Sequence, residues 1–154
     1  MSSIRESHPF TESPPRAFDL PEKQRLVQWY DALAQKRQEY IRRNRYYHSL
    51  LARHYRQVIA PGASILEIGC GDGSLLKALS PGRGVGIDIS PCMVRRASEL
   101  HSQDRHLHFY QADIERSVFS EQFDFVIMSD VIGILHDIQA ALDNVRSACR
   151  PQTR

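Results

Sequence analysis

Four acidic residues stand at or just after the ends of apolar segments, where α/β proteins place their chemistry. Glu67 leads into a short run that contains Gly69, Cys70, Gly71 and Gly73, and three later apolar segments are followed by aspartates: Asp88, Asp113 and Asp130. Ligands of open α/β sheets bind outside the carboxyl ends of the strands. Glycines let the main chain turn sharply and approach a ligand closely, because they carry no Cβ atom. The pattern predicts a cradle for a nucleoside cofactor.

The acids and their apolar neighbours match the parts of a nucleoside. A carboxylate at Asp88, at the end of the second predicted strand, can accept hydrogen bonds from both ribose hydroxyls. Asp113, one strand further out, can accept a hydrogen bond from the adenine amine. The side chains of Ile89, Met93 and Ile114 then offer apolar faces to the adenine ring.

The glycine spacing separates two classes of cofactor. Dinucleotide sites carry G-x-G-x-x-G, whereas this run is G-x-G-x-G with Ser74 at the position of the third dinucleotide glycine. Glu67 would repel a pyrophosphate, but it suits the ammonium group of S-adenosylmethionine. The sequence therefore favours S-adenosylmethionine. A nicotinamide-dependent oxidoreductase or epimerase and a non-catalytic cofactor-binding module stay open as alternatives.

Candidate catalytic groups are few. His136 follows the fourth predicted strand and is the predicted general base, with a position at a helix N-terminus beside Asp137 as the alternative. With S-adenosylmethionine as the cofactor, transfer of its methyl group needs no covalent enzyme intermediate. Cys70 is therefore expected to be a small side chain under the ligand and not a nucleophile. The aspartates are spread over strands about 4.8 Å apart, so one ion cannot gather them and no metal site is predicted. Trp29 and the tyrosines of residues 30–55 are expected in the core rather than as a platform for the acceptor.

The periodicity of apolar residues predicts the elements that position these groups. Residues 1–18, rich in Ser, Pro and charge, indicate a disordered tail. Residues 19–60 indicate a helical cap of two helices with a break near 43–45. Residues 61–154 alternate strands with helices, which predicts an α/β fold with a mostly parallel sheet, Rossmann-like and three-layered. The predicted strands are 63–68, 84–88, 107–110 and 123–128, and the predicted helices of this part are 74–79, 91–102 and 137–149.

Four segments resemble the successive motifs of the class I S-adenosylmethionine-dependent methyltransferases: ILEIGCGDGSLL, GVGIDIS, FYQADIE and FDFVIMSDVIGIL. The resemblance implies that Glu67 and the three loop glycines hold the methionine side of the cofactor and that Asp88 binds the ribose. It implies that Asp113 and Ile114 flank the adenine and that Asp130 lies beside the methionine moiety. It also implies that Tyr47 or Tyr46, in the cap, closes over the cofactor. The family domain has seven strands and four are recognisable here, so the C-terminal strands are expected to be missing.

Composition limits the partners. The hydrophobic content of 42% and charged content of 25% are ordinary for a soluble globular protein, and no apolar run is long enough to cross a membrane. Residues 1–60 hold 11 Lys and Arg against 6 Asp and Glu, and residues 61–154 hold 9 against 12. The excess of basic residues in 1–60 fits either an anionic acceptor or the solvent-exposed face of amphipathic helices. No sequence motif of a nucleic-acid-binding module is present. We expect a cytoplasmic protein with a small-molecule or glycan acceptor.

Overall fold

The fold is described by a computed structural model for residues 8–12 and 21–154. The helices are α1 (Pro21–Ala34), α2 (Arg37–Arg43), α3 (Arg45–Val58), α4 (Ser74–Leu79), α5 (Pro91–Leu100) and α6 (Ile138–Ser147). The strands are β1 (Phe10–Glu12), β2 (Ser64–Ile68), β3 (Arg83–Asp88), β4 (Leu107–Gln111), β5 (Ser117–Phe119) and β6 (Phe125–Met128). A 3₁₀ turn, Ile132–Ile134, follows β6.

Four strands form a parallel sheet in the order β4-β3-β2-β6. The chain builds outward from β2 through β3 to β4, and then crosses back to place β6 on the other side of β2. The carboxyl end of β2 therefore lies where the strand order reverses, which is where open α/β sheets bind their ligands. The predicted α/β fold with a parallel sheet is confirmed.

Alternate side chains of β2 enter different layers, as the pleat of a strand requires. Leu66 belongs to a core cluster that includes Ala141 of α6. Ile65 belongs to a second cluster that includes Leu76 of α4. Helices thus cover both faces of the sheet. Glu67 shares a face with Ile65, which directs its carboxylate toward α4.

The cap contains three helices where two are predicted. The break at Asn44, between α2 and α3, agrees with the predicted position, and a further break separates α1 from α2 at residues 35–36. The Asn44 side chain donates a hydrogen bond of 3.0 Å to the carbonyl of Tyr40, which also accepts the backbone N–H of Asn44. Asp31 ties α1 to the start of α5, because its Oδ1 accepts hydrogen bonds from Ser90 Oγ and the Cys92 N–H.

The predicted disordered tail is wrong for residues 10–12. These residues form β1, which pairs antiparallel with β5, another short strand that the sequence pattern does not indicate. The physical reason is a single aromatic anchor: Phe10 is buried and packs edge-on against Phe119 and Tyr110. Residues 1–7 and 13–18 of the predicted tail lie outside the described residues.

Candidate cofactor site

A cavity of about 630 Å³ lies between the cap helices and the carboxyl ends of the parallel strands. Most of the predicted site residues line it: Glu67, Gly69, Cys70, Gly71, Asp88, Ile89, Met93, Asp113, Ile114, Asp130 and Tyr47. Two predicted residues, Gly73 and His136, are not among the lining residues. The fold therefore brings residues from five separate parts of the chain together around one cavity.

The glycine loop between β2 and α4 needs its glycines for reasons of space and backbone conformation. Gly69, Gly71 and Gly73 have φ values of +73°, +53° and +73°, a region that side chains disfavour. A Cβ atom on Gly69 would lie 2.3 Å from Val131 Cγ2, and one on Gly73 would lie 2.6 Å from the Phe109 ring. Gly73 thus serves the packing beneath the loop, while Gly69 and Gly71 face the cavity.

Asp88 is fixed before any ligand arrives. Its Oδ2 accepts a hydrogen bond of 2.9 Å from the Gly71 N–H, and its Oδ1 accepts one of 2.9 Å from the Ser90 N–H. Burial raises the pKa of this carboxyl, and the two backbone donors oppose the shift. Each oxygen keeps a lone pair, so a pair of ribose hydroxyls could be bound without moving the side chain.

Glu67 is a buried acid that makes one hydrogen bond within the described residues. Its Oε2 accepts from the Leu76 N–H at 3.1 Å. Burial raises the pKa of Glu67 to about 8, and the negative charges of Asp72 and Asp88 add to the shift. A cationic group beside this carboxyl would relieve the penalty, since an opposite charge favours the ionised form. The lining position of Glu67 makes an ammonium group of a ligand a suitable partner.

Asp113 has a partner that the sequence analysis missed. Lys23 of α1 is only 1% exposed, and its Nζ donates to Asp113 Oδ2 and, at 3.0 Å, to Glu115 Oε2. Asp113 Oδ1 accepts from the Glu115 N–H at 3.0 Å. The predicted adenine end of the cavity is thus closed by a buried ion-pair cluster, and no local sequence signal connects positions 90 residues apart.

The cap contributes polar groups near Asp130. Tyr47 donates a hydrogen bond of 2.7 Å to Asp130 Oδ2, which raises the pKa of the tyrosine. The Nε2 atom of His48 is buried and has no hydrogen-bond partner among the described residues. Burial lowers the pKa of His48, and the nearby Arg37 guanidinium lowers it further. His48 also lines the cavity, and sequence reasoning passed over it.

His136 is not where the sequence analysis expected a general base. Its side chain is exposed outside the cavity lining, and its backbone N–H donates to Glu115 Oε1 at 3.0 Å. The neighbouring Asp137 caps α6 by accepting from the Ala140 N–H. The alternative position, beside a helix cap, is the one observed. The β6 strand ends at Met128, as predicted. Ile134 and Leu135 after it still line the cavity, but the chain leaves the lining at His136.

Aromatic residues of the cap line the cavity rather than fill the core. Trp29 is 60% exposed, Tyr40 is exposed, and both line the cavity together with Tyr30. The expected core position is therefore wrong for Trp29 and Tyr40, and it is also wrong for Tyr46 and Tyr47, which are exposed. The reason is that α1 and α2 lie over the opening of the sheet, so their apolar stripes face the cavity.

The described lining residues carry an excess of negative charge. Two are cationic, Lys23 and Arg37, and six are acidic: Glu67, Asp72, Asp88, Asp113, Glu115 and Asp130. Asp72 was not predicted, and it accepts a hydrogen bond of 2.7 Å from Gln38 of α2. Such a lining favours neutral or cationic ligand groups over phosphates.

Within residues 8–12 and 21–154, no helix is long and apolar enough to cross a membrane. Within the same residues, no group of three or more His, Cys, Asp or Glu side chains is arranged to hold a metal ion.

The fold and site together define a Rossmann-like domain whose glycine loop and strand-end acids suit a nucleoside with an amino-acid tail. The chain belongs to the methyltransferase-domain family, which it matches over residues 66–154, more than half of its length. The cofactor of these enzymes is S-adenosylmethionine, and related structures hold S-adenosylhomocysteine, its demethylated form. The predicted family, fold class and cofactor are confirmed.

Individual relatives extend this comparison. Nodulation protein S of Bradyrhizobium diazoefficiens is 31% identical over 94 residues, which are 58% of this chain and 45% of that protein. The DhpI complex with S-adenosylhomocysteine superimposes with a TM-score of 0.68 at 26% identity, covering 82% of this chain and 63% of DhpI. A methyltransferase solved with the Trm112 activator of Haloferax volcanii shares the fold, with a TM-score of 0.68 at 24% identity. The superposition covers 80% of this chain and 57% of that methyltransferase. The chain thus spans less than half the length of that nodulation protein.

Proposed function

We propose that this chain binds S-adenosylmethionine and transfers its methyl group to a small-molecule acceptor. The observation that carries the proposal is the Asp88 carboxylate, held by the N–H groups of Gly71 and Ser90 beside a loop of positive-φ glycines. This arrangement offers acceptor atoms for a ribose next to main chain that a ligand can approach closely. The buried acid Glu67, on the adjacent strand, supports an ammonium group at the other end of the ligand.

The residues present fit this cofactor part by part. We assign the ribose to Asp88, the adenine to Asp113 with Ile89, Met93 and Ile114, and the amino-acid end to Glu67 and the glycine loop. Gly69 supports the assignment, since a side chain there would fill the cradle or collide with Val131. Bound S-adenosylmethionine supplies an activated methyl group whose thioether leaving group needs no acid to depart.

The chain's own contribution to the transfer is alignment and the handling of one proton. Holding two reactants in line can supply up to about 7–11 kcal/mol in favourable cases. We assign the proton of the acceptor to His48 in place of His136, because its buried Nε2 has no partner and its pKa is lowered. A neutral imidazole can accept a proton from a hydroxyl or an amine. The Tyr47–Asp130 pair would orient the acceptor nearby.

The acceptor class follows from the lining of the cavity. The rings of Trp29, Tyr30 and Tyr40 give an apolar and aromatic wall, and the acidic excess disfavours an anionic acceptor. A neutral or amine-bearing small molecule is therefore our proposal. Coclaurine N-methyltransferase, solved with N-methylheliamine and S-adenosylhomocysteine, has the same fold at 16% identity. A dinucleotide-dependent reaction is disfavoured, because a pyrophosphate would meet the carboxylates of the lining.

Isothermal titration calorimetry of the chain with S-adenosylmethionine, S-adenosylhomocysteine and NAD tests the cofactor. We expect the first two ligands to bind and NAD not to bind. Transfer of a tritiated methyl group to a panel of amines, phenols, alcohols and carboxylic acids then tests the acceptor class. Binding of NAD without binding of S-adenosylmethionine would refute the proposal, and methylation restricted to carboxylic acids would refute the acceptor class.

A further inference from the structure

Arg37 is the lining cation that forms no ion pair within the described residues. It is the first residue of α2, and its Nε atom is buried without a hydrogen-bond partner among the described residues. Its guanidinium makes no ion pair within that part of the chain and lies 5.6 Å from the centre of the Tyr40 ring. A buried guanidinium nitrogen without a partner is costly, so a ligand group is expected to complete it.

The guanidinium is placed against the glycine loop. A Cβ atom built on Gly71 would lie 3.6 Å from both Nε and Nη2 of Arg37. The main chain of Gly71 in turn donates its N–H to Asp88. Arg37 therefore reaches from the cap across the cavity to the loop at the end of β2, at the amino-acid end assigned above.

Charge complementarity identifies the group that fits. Among the described lining residues the cations are Lys23 and Arg37, and Lys23 is occupied by Asp113 and Glu115. S-Adenosylmethionine has a ribose, an adenine, an ammonium and a sulfonium, but one anionic group, the carboxylate of its methionine moiety. Arginine binds carboxylates through paired N–H donors, which makes it the matching residue.

We propose that Arg37 binds the α-carboxylate of the cofactor, so that helix α2 of the cap forms part of the cofactor site. The inference rests on the function proposed above. It has a consequence for selectivity: the chain distinguishes nucleosides that carry an amino-acid tail from those that lack one. The ion pair also links cofactor binding to the position of the cap, because the carboxylate joins α2 to the loop after β2.

The test compares ligands that differ at the carboxylate. Calorimetry would use S-adenosylhomocysteine, its analogue without the carboxylate, and 5′-methylthioadenosine, which lacks the whole amino-acid end. Arg37→Met is expected to weaken S-adenosylhomocysteine about 10- to 100-fold and to change the affinity for the other two ligands less than about twofold. Arg42→Met, an exposed arginine of the same helix, is the matched control and should leave all three affinities unchanged.

Each other outcome has a distinct meaning. An equal loss for all three ligands would show that Arg37 supports the cavity as a whole, and it would overturn the proposal. Unchanged affinity for S-adenosylhomocysteine in Arg37→Met would also overturn it and would direct Arg37 toward an anionic group on the acceptor. Failure of the unmodified chain to bind S-adenosylhomocysteine, in contrast, would refute the proposed function itself.

Discussion

The substitution Lys23→Met should loosen the whole cap. Lys23 is 1% exposed and pairs with Asp113 and Glu115, whose side chains are 4% and 8% exposed. Methionine keeps most of the volume but removes the charge, so two buried carboxylates lose their counterion. Removing one partner of a buried ion pair costs about 3–5 kcal/mol. For a chain of this size, about 2–4 °C per kcal/mol then gives a fall in Tm of about 6–20 °C.

The destabilisation caused by Lys23→Met cannot exceed the free energy that holds α1 against the sheet, because the helix can detach before the sheet unfolds. Two measurements therefore belong together: thermal unfolding by circular dichroism and limited trypsin digestion after Arg25, an exposed residue of α1. Detachment would leave Tm almost unchanged but speed the cleavage, since local opening governs proteolysis. Lys23→Met should therefore either lower Tm or speed the trypsin cleavage after Arg25.

Lys77→Met is the matched control for this prediction. Lys77 pairs with Asp104 at the surface, where the two side chains are 51% and 27% exposed. An exposed pair contributes about 0.2–1 kcal/mol, so Tm should fall by less than about 4 °C and cleavage in α1 should not change. Equal effects of Lys23→Met and Lys77→Met, or no effect of either, would refute the assignment of a buried ionic anchor.

Four further predictions address the site. Burial raises the pKa of Glu67 to about 8 in the folded protein, from an ordinary value of 4.5. The folded state therefore binds this proton more tightly than the unfolded state, and the free energy of unfolding falls as the pH rises from about 4.5 to about 8. The Tm of Glu67→Gln relative to that of the unmodified chain should therefore increase over the same pH range. Gly69→Ala should lower stability by about 1–3 kcal/mol in urea titrations, while Gly133→Ala, whose Cβ would have open space, should be close to neutral. Asp88→Ala should weaken S-adenosylhomocysteine at least about tenfold by calorimetry, and unchanged affinity would contradict the ribose assignment. Histidine ring signals in NMR titrations should show His48 titrating below pH 6.5, and a midpoint above that value would contradict its buried environment.

The parallel strands and the glycine loop were predictable because the sequence patterns that indicate them lie within single short segments. β2, β3 and β4 are short apolar runs, and the helix after the glycine loop begins at Ser74 as predicted. The glycine spacing and the acids at Glu67 and Asp88 report on backbone turns and strand ends, which a single segment encodes. These residues were located correctly, and their roles toward the cofactor stay predictions.

The helical nature of the cap and its break at Asn44 were predicted, but its ionic contacts were not, because they join distant positions. Lys23 meets Asp113 across 90 residues, and Arg37 meets the loop at Gly71 only once α2 lies over the sheet. A charged residue on an amphipathic helix looks the same in sequence whether it faces water or a cavity. His136 failed for a related reason: its position depends on where the 3₁₀ turn after β6 directs the chain.

The distribution of basic residues bears on what the cavity binds. Residues 1–60 hold 11 Lys and Arg, yet Lys23 and Arg37 are the two that line the cavity within the described part of the chain. Arginines such as Arg42, Arg45 and Arg53 are exposed instead and lie on the solvent-exposed face of the cap helices. An anionic acceptor or a pyrophosphate entering the cavity would meet six acidic side chains. Glu67, with its pKa raised to about 8, is mostly protonated at neutral pH, and Lys23 neutralises part of the charge of Asp113 and Glu115. Asp72, Asp88 and Asp130 still outnumber the one guanidinium, that of Arg37, which has no ion pair within the described residues. A zwitterionic cofactor with a sulfonium meets the same surface with an excess of positive charge, and its single carboxylate faces the single open cation. The acidic lining is therefore an argument against a dinucleotide cofactor that does not depend on the glycine spacing.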